Sequence, residues 1–254
     1  MEQFTIKDHY TFEDLIALTR FLRSPGGCPW DSVQTHTSVR RNFIEEVYEA
    51  CEAIDQDDPV HMCEELGDVL YQVLFHADME REAGRFDIDT VCDEVCKKLV
   101  ARHPFLFADE KASDAEDALD RWDNVKRNLN GYRTHTQAMD NVSRTLPSLW
   151  RAEKLLGKAE KAGLHRENTL EALEALEQQT ALLRKALEEG ADVSDAYGDL
   201  LFAAAGVART AKLDPEDALN EASERFIRRF EAIEKAATAA GMQDIPSEML
   251  EELK

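Results

Sequence analysis

Apolar residues recur at helical spacing almost from one end of the chain to the other, and no stretch alternates apolar and polar positions as a half-buried strand does. The pattern predicts helices over 11–23, 37–55, 59–83, 88–102 and 115–129 in the first half. In the second half it predicts 145–162, 168–189, 192–211, 215–240 and a short piece at 246–253. The breakers fall between these segments. "SPGGCPWD" at 24–31 reads as a loop, with Trp30 expected to pack into a core, and "DQDDP" at 55–59 as a tight connection with Pro59 opening a helix. The fold class is therefore all-α.

Two of these helices carry an unusual polar pattern. Along 37–55, Ile44, Val47, Cys51 and Ile54 form one apolar stripe. Glu45, Glu49 and Glu52 lie on the other side, with Glu46 next to Glu49. The following helix is apolar nearly all round from Leu66 to Ala77, so it is expected to be buried, and Glu65, Asp68 and Gln72 draw one polar line along it. Buried carboxylates are costly unless a cation pairs with them. No lysine or arginine lies between Arg41 and Arg81. The short connection makes the two helices antiparallel neighbours, so that Glu46 and Glu49 face Glu65 and Asp68, and Gly67 lets the backbones approach. Two readings stand at this point: a solvated acidic helix face, or a metal cage. Oxygen-only ligands suit a hard cation, Mg²⁺ or Mn²⁺. A di-iron carboxylate bundle needs Glu-x-x-His, which is absent; Asp58 and His61 are the nearest approach.

Composition narrows the class. The chain has 254 residues, 43% of them apolar, which is enough for two small cores. Its formal net charge of -22 makes it a poor binder of nucleic acid or anionic membranes unless cations intervene, so no direct nucleic-acid binding is expected. The five cysteines, Cys28, Cys51, Cys63, Cys92 and Cys96, form no C-x-x-C pair, and Cys92 with Cys96 reads as helix packing. No basic start with an apolar run follows Met1, and no segment reaches the length of a membrane span; a cytoplasmic location is expected. His36, His61 and His103 read as structural or capping residues.

The chain also repeats itself. "LGDVLYQVLFHA" from Leu66 resembles "YGDLLFAAAGVA" from Tyr197, an offset of 131, and "DEVCKKLVARHPF" from Asp93 resembles "NEASERFIRRFEA" from Asn220, an offset of 127. Two matches in the same order point to an internal duplication. The expected organisation is a first domain at 1–130, a polar linker at 131–146 and a second domain at 147–254.

The ordered set E-E-x-x-E at 45–49, E-x-x-D at 65–68, "LRSPGGCPWD", "QTH" at 34–36, "KKLVARHPFLF" and "LPSLWRAEKLLGKAEKAG" resembles the MazG-type all-α nucleoside triphosphate pyrophosphohydrolases over most of the chain. The resemblance implies two tandem helical-bundle domains, usually assembled as a homodimer, and Mg²⁺-dependent hydrolysis of NTP or dNTP to the monophosphate and pyrophosphate. It maps the metal ligands to Glu46, Glu49, Glu65 and Asp68, with Glu45 beside them as a base or a supporting group. It matches Lys98 and Arg102 to the family's basic pair and Trp122 and Lys126 to its following Trp and Lys. Lys98 and Arg102, at i and i+4, can hold phosphates or be plain surface charges. Trp122 can stack on a base or simply pack. The implied reaction is attack of water on the α-phosphorus, with Glu45 or Glu46 orienting or deprotonating the water.

The second half departs from the motif. Ala196 stands where the first half has Glu65, Asp199 remains, and E-E-x-x-E is reduced to "EQQTA" at 177–181. Arg225 and Arg229 match Lys98 and Arg102, but the tail has no counterpart of Trp122 or Lys126. The second domain is expected to be catalytically silent. The competing function is a non-hydrolytic nucleotide or alarmone sensor acting through a protein partner; a third is an acidic helical scaffold without a ligand.

Overall fold

The computed structural model describes residues 4–107, 113–115, 117–118, 121–122, 125, 131, 134–164, 168–242 and 244–253. Among these residues all regular structure is helical. The chain divides into two compact units, Met1–Lys126 and Arg127–Lys254.

The first unit contains α1 (Phe12–Arg23), α2 (Arg40–Asp55), α3 (Pro59–Glu82) and α4 (Ile88–Arg102), followed by one turn at Pro104–Phe107. Each start has a local cause. Thr11 and Asp14 form a reciprocal capping box at α1. Asp58 caps α3 by accepting from the amides of Val60 and His61, with Pro59 in the first turn. Asp87 caps α4 through the Thr90 amide. The α2–α3 turn closes when Asp57 adopts a left-handed φ of 53°, which aspartate tolerates better than most residues. The amide of Asp58 then reaches back to the carbonyl of Ala53.

Among the described residues two small apolar clusters help hold this unit together. Val39, Phe75 and Met79 pack with Tyr71. Leu74, Ala77 and Ile88 pack with Leu15, Ile16, Val73 and Val91, joining α1, α3 and α4. Arg23 is only 7% exposed. It donates to the Asp31 carbonyl at 2.7 Å and to Glu82 at 2.7 and 3.2 Å, tying the loop before α2 to the end of α3.

The second unit repeats the order with α5 (Ser148–Glu160), α6 (Thr169–Glu188), α7 (Ser194–Thr210) and α8 (Pro215–Ala239). Ala152 and Leu156 of α5 pack on Ala205 of α7. The segment read as a linker holds a six-residue helix, His135–Asp140, opened by a Thr134/Gln137 capping box. The piece at 246–253 is a short turn, Ser247–Leu250, continued by a 3₁₀ turn. The helix expected at 115–129 falls mostly outside the described residues.

Several sequence expectations about packing are corrected. Trp30 is 57% exposed; the buried residue of "GGCPWD" is Asp31, whose carbonyl Arg23 holds. The stripe Ile44, Val47, Cys51 and Ile54 is exposed, and α2 buries Ala50 and Ala53 instead. On α3 the N-terminal half is open at Leu66 and Leu70, while burial concentrates from Gln72 to Glu80. Gly67 has no neighbour within 4 Å of where a Cβ would stand, so it marks no close helix approach within the chain. Cys92 and Cys96 are exposed rather than packed. The common reason is that helical periodicity identifies which residues share a face but not which face the rest of the same chain covers.

Candidate metal and phosphate site

Glu46 and Glu49 sit one turn apart on α2, and Glu65 lies near the start of α3, across the tight turn at Asp57. One carboxylate oxygen from each lies within 4.8 Å of the others. Glu65 is buried. One of its oxygens, Oε1, lies 3.0 Å from Nε2 of His61, one turn earlier on the same helix. The other, Oε2, is buried without a hydrogen-bond partner. His61 was expected only to cap or support structure; its i,i+4 spacing to Glu65 was the available signal.

The electrostatics of the cluster are those of like charges held together. Burial raises the pKa of Glu46, and the charges of Asp68, Glu49 and Glu65 push it further up, as does its hydrogen bond with Glu49. Asp68 therefore lies close enough to act on Glu46, although its oxygen is not in the group of three. An orphaned buried carboxylate oxygen among crowded acids fits a bound cation, and an all-oxygen donor set fits a hard divalent one.

Glu45 is exposed and lines a shallow groove of about 300 Å³ with Arg41, Ile44, Tyr48, Glu49 and Glu52. Arg102 lies on α4 with its guanidinium carbon 5.1 Å from the centre of the Trp122 ring, a cation–π contact. Its Nε is buried without a hydrogen-bond partner. Lys98, one turn earlier, is exposed. Lys126 lies outside the described residues. At the end of α4 the His103 ring nitrogen Nδ1 lies 2.6 Å from the Leu99 carbonyl, a capping contact.

A second polar cluster in the first unit was not anticipated. His36 and His76 stack with ring centres 5.0 Å apart, and their Nδ1 atoms are 2.7 Å apart. His36 Nε2 reaches Glu80 Oε1 at 2.6 Å, and Arg85 pairs with the same carboxylate. Arg85 holds the Glu80 carboxyl down to about 2, with His36 adding to the effect. Burial, followed by the neighbouring His36, lowers the His76 pKa.

The chain is similar in sequence to a known family and to several known proteins. The family described as "MazG nucleotide pyrophosphohydrolase domain" matches residues 34–107, the span that runs from the loop before α2 through the turn after α4. A protein of Escherichia coli K12 named "Nucleoside triphosphate pyrophosphohydrolase" is 35% identical over 235 residues, covering 90% of this chain and 89% of its own. A Thermotoga maritima protein named "Nucleoside triphosphate pyrophosphohydrolase/pyrophosphatase MazG" is 34% identical over 243 residues, covering 95% and 93%. The Bacillus subtilis protein named "Uncharacterized protein YabN" is 38% identical over 238 residues, and there this chain spans about half of the relative, 48%. Among the described residues no helix is long and apolar enough to cross a membrane. The matches extend across both units, and the chain belongs to the MazG nucleotide pyrophosphohydrolase family, in its all-α, two-unit form.

Proposed function

We propose that this chain hydrolyses nucleoside triphosphates, ribo or deoxy, to the monophosphate and pyrophosphate, and that the first unit carries the reaction. The observation that carries the reading is the convergence of Glu46, Glu49 and Glu65 with one buried oxygen unpartnered. The names of the E. coli and T. maritima relatives support it. Glu46, Glu49, Glu65 and Asp68 are the proposed ligands of Mg²⁺, for which Mn²⁺ can substitute. When bound, the ion supplies a water of lowered pKa and screens the phosphate charge.

This chain's own residues do the rest. Water adds to the α-phosphorus, the bond from that phosphorus to the bridging oxygen of the β-phosphate breaks, and pyrophosphate leaves with the electron pair. Glu45 or Glu46 orients the water and takes its proton. Lys98 and Arg102 hold the phosphates, Arg102 in a fork geometry that suits two oxygens at once. Trp122 braces that guanidinium through the observed contact, and Lys126 adds a further positive charge. Chemistry of this kind depends on positioning and electrostatics and needs no covalent nucleophile.

The exposed faces of α2 and α3 favour a homodimer. Ile44, Val47, Leu66 and Leu70 are each more than a third exposed in the single chain. A second copy would cover them. A cytoplasmic location fits a nucleotide substrate.

The test is pyrophosphate release from a panel of NTPs and dNTPs with Mg²⁺, comparing the native chain with Glu49→Gln. Release from the native chain that disappears in the variant supports the proposal. Nucleotide binding without release would overturn it and favour the sensor reading.

A further inference from the structure

The first helix of each unit is held to the third by ionic pairs, and the two units use opposite polarity. In the first unit the base is on α1 and the acid on α3. Asp78 of α3, with a side chain 5% exposed, lies 3.8 Å from Arg20 Nε and 3.9 Å from Arg23 Nε. Arg23 also pairs with Glu82 at 2.7 Å. In the second unit the acid is on α5 and the base on α7. Arg209 of α7 pairs with Glu153 and, at 2.7 Å, with Glu160.

Asp78 and Arg209 occupy the same place in the repeat. They are separated by the offset of 131 that relates Leu66 to Tyr197, and the buried pair Leu74 and Ala205 shares it. The surroundings are built around each polarity. At Gly157 on α5, a Cβ would come within 2.8 Å of the Arg209 guanidinium carbon, so the missing side chain makes room for this arginine. On α3, Arg81 adds a contact of 2.6 Å to Asp78.

We infer that the inverted ionic pairs form a recognition code that lets the α3 face accept only α1 and the α7 face accept only α5. The apolar parts of the two interfaces discriminate weakly, since both are patches of small and aliphatic side chains. A duplicated chain faces a particular hazard: either leading helix can dock on either receiving helix, within a chain or between copies. Exchange would set Arg20 and Arg23 against Arg209, and Glu153 and Glu160 against Asp78 and Glu82. Like charges forced together in a partly desolvated interface reject the wrong partner more strongly than the correct pairs attract the right one.

The experiment uses full-length chains refolded from denaturant, treated with a carboxyl-to-amine crosslinking reagent, and read by mass spectrometry for links between residues 7–23 and residues 194–213. Three variants are compared with the native chain. Arg209→Met removes both the attraction for α5 and the repulsion of α1, without attracting α1. Arg209→Asp repels α5 and invites α1. Glu153→Arg with Glu160→Arg and Arg209→Asp restores an ion pair inside the second unit while leaving α7 attractive to α1. The expected order of α1–α7 links is Arg209→Asp highest, the triple variant above Arg209→Met, and Arg209→Met above native, with the first exceeding the native level by about tenfold for ~1.4 kcal/mol of altered preference. A triple variant whose links stay at the Arg209→Met level would overturn the code and leave the pairs as plain stabilising contacts. If the triple variant does not refold, Arg209→Asp and Arg209→Met decide, and equal linking in those two overturns the inference.

Discussion

In the first unit the turn between α2 and α3 gathers Glu46, Glu49 and Glu65; in the second unit the same register carries Ala196 in place of Glu65 and keeps only Asp199. Among the described residues both units nonetheless run through four main helices in the same order. The difference teaches that the acidic cluster is not part of what holds the fold. Crowded carboxylates work against folding until a cation joins them, so a copy can lose them and keep its helix packing. The contacts that do hold each unit, the aliphatic clusters and the ionic pairs of Arg23 and Arg209, involve other residues.

The largest effect is expected from the cluster itself. Glu65→Ala should lower pyrophosphate release by a hundredfold or more, on the order of losing one electrostatic group that stabilises a transition state. Asp199→Asn in the second unit should leave the rate unchanged. A loss in both variants would break the division of labour between the units.

A backbone comparison comes next. A Cβ on Gly27 would collide with the carbonyl oxygens of Phe21 and Leu22, whereas Gly163 in the second unit has open space around it and only a positive φ of 103°. Gly27→Ala is expected to cost ~3 kcal/mol and Gly163→Ala ~1 kcal/mol in chemical denaturation. Equal costs would mean that the loop after α1 rearranges freely.

Mg²⁺ should raise the thermal midpoint of the native chain by mass action, about 2.7 kcal/mol at a hundredfold excess over its dissociation constant. Glu49→Gln should abolish most of that gain, and Glu177→Gln, in the corresponding stretch of α6, none of it. A gain that survives Glu49→Gln would place the ion somewhere else.

The smallest expected effect is in acid. The Glu80 carboxyl is held near 2, below its ordinary value of 4.5, chiefly by Arg85. A carboxyl with a depressed folded-state pKa contributes stability that is fully present above about 4.5 and is lost as the pH falls toward 2. Ala211 occupies the equivalent place in the second unit. Glu80→Gln should flatten the acid limb of the stability profile between those values. An unchanged limb would mean that the pairing with Arg85 and His36 contributes nothing to folding.

Much of this protein was legible in its sequence, for a local reason. Pro59 and the apolar periodicity of α1, α2, α3 and α8 each act within a turn or two of helix, so helix positions follow from neighbouring residues alone. The spacing of Glu46, Glu49, Glu65 and Asp68 was visible in the same way. The short His135–Asp140 helix was missed because its capping box spans too few residues to show a period.

What tertiary structure alone decided is which side of each helix is covered and which groups meet across the chain. Sequence spacing put Ile44 and Val47 on one stripe, but only packing left that stripe open while Ala50 and Ala53 went inside. The stacking of His36 on His76, the hold of Arg23 on the loop before α2 and the opposite polarity of the Asp78 and Arg209 pairs all join residues far apart in the chain. Such contacts depend on how helices are brought together, and a helix's own periodicity carries no record of its neighbour's charge.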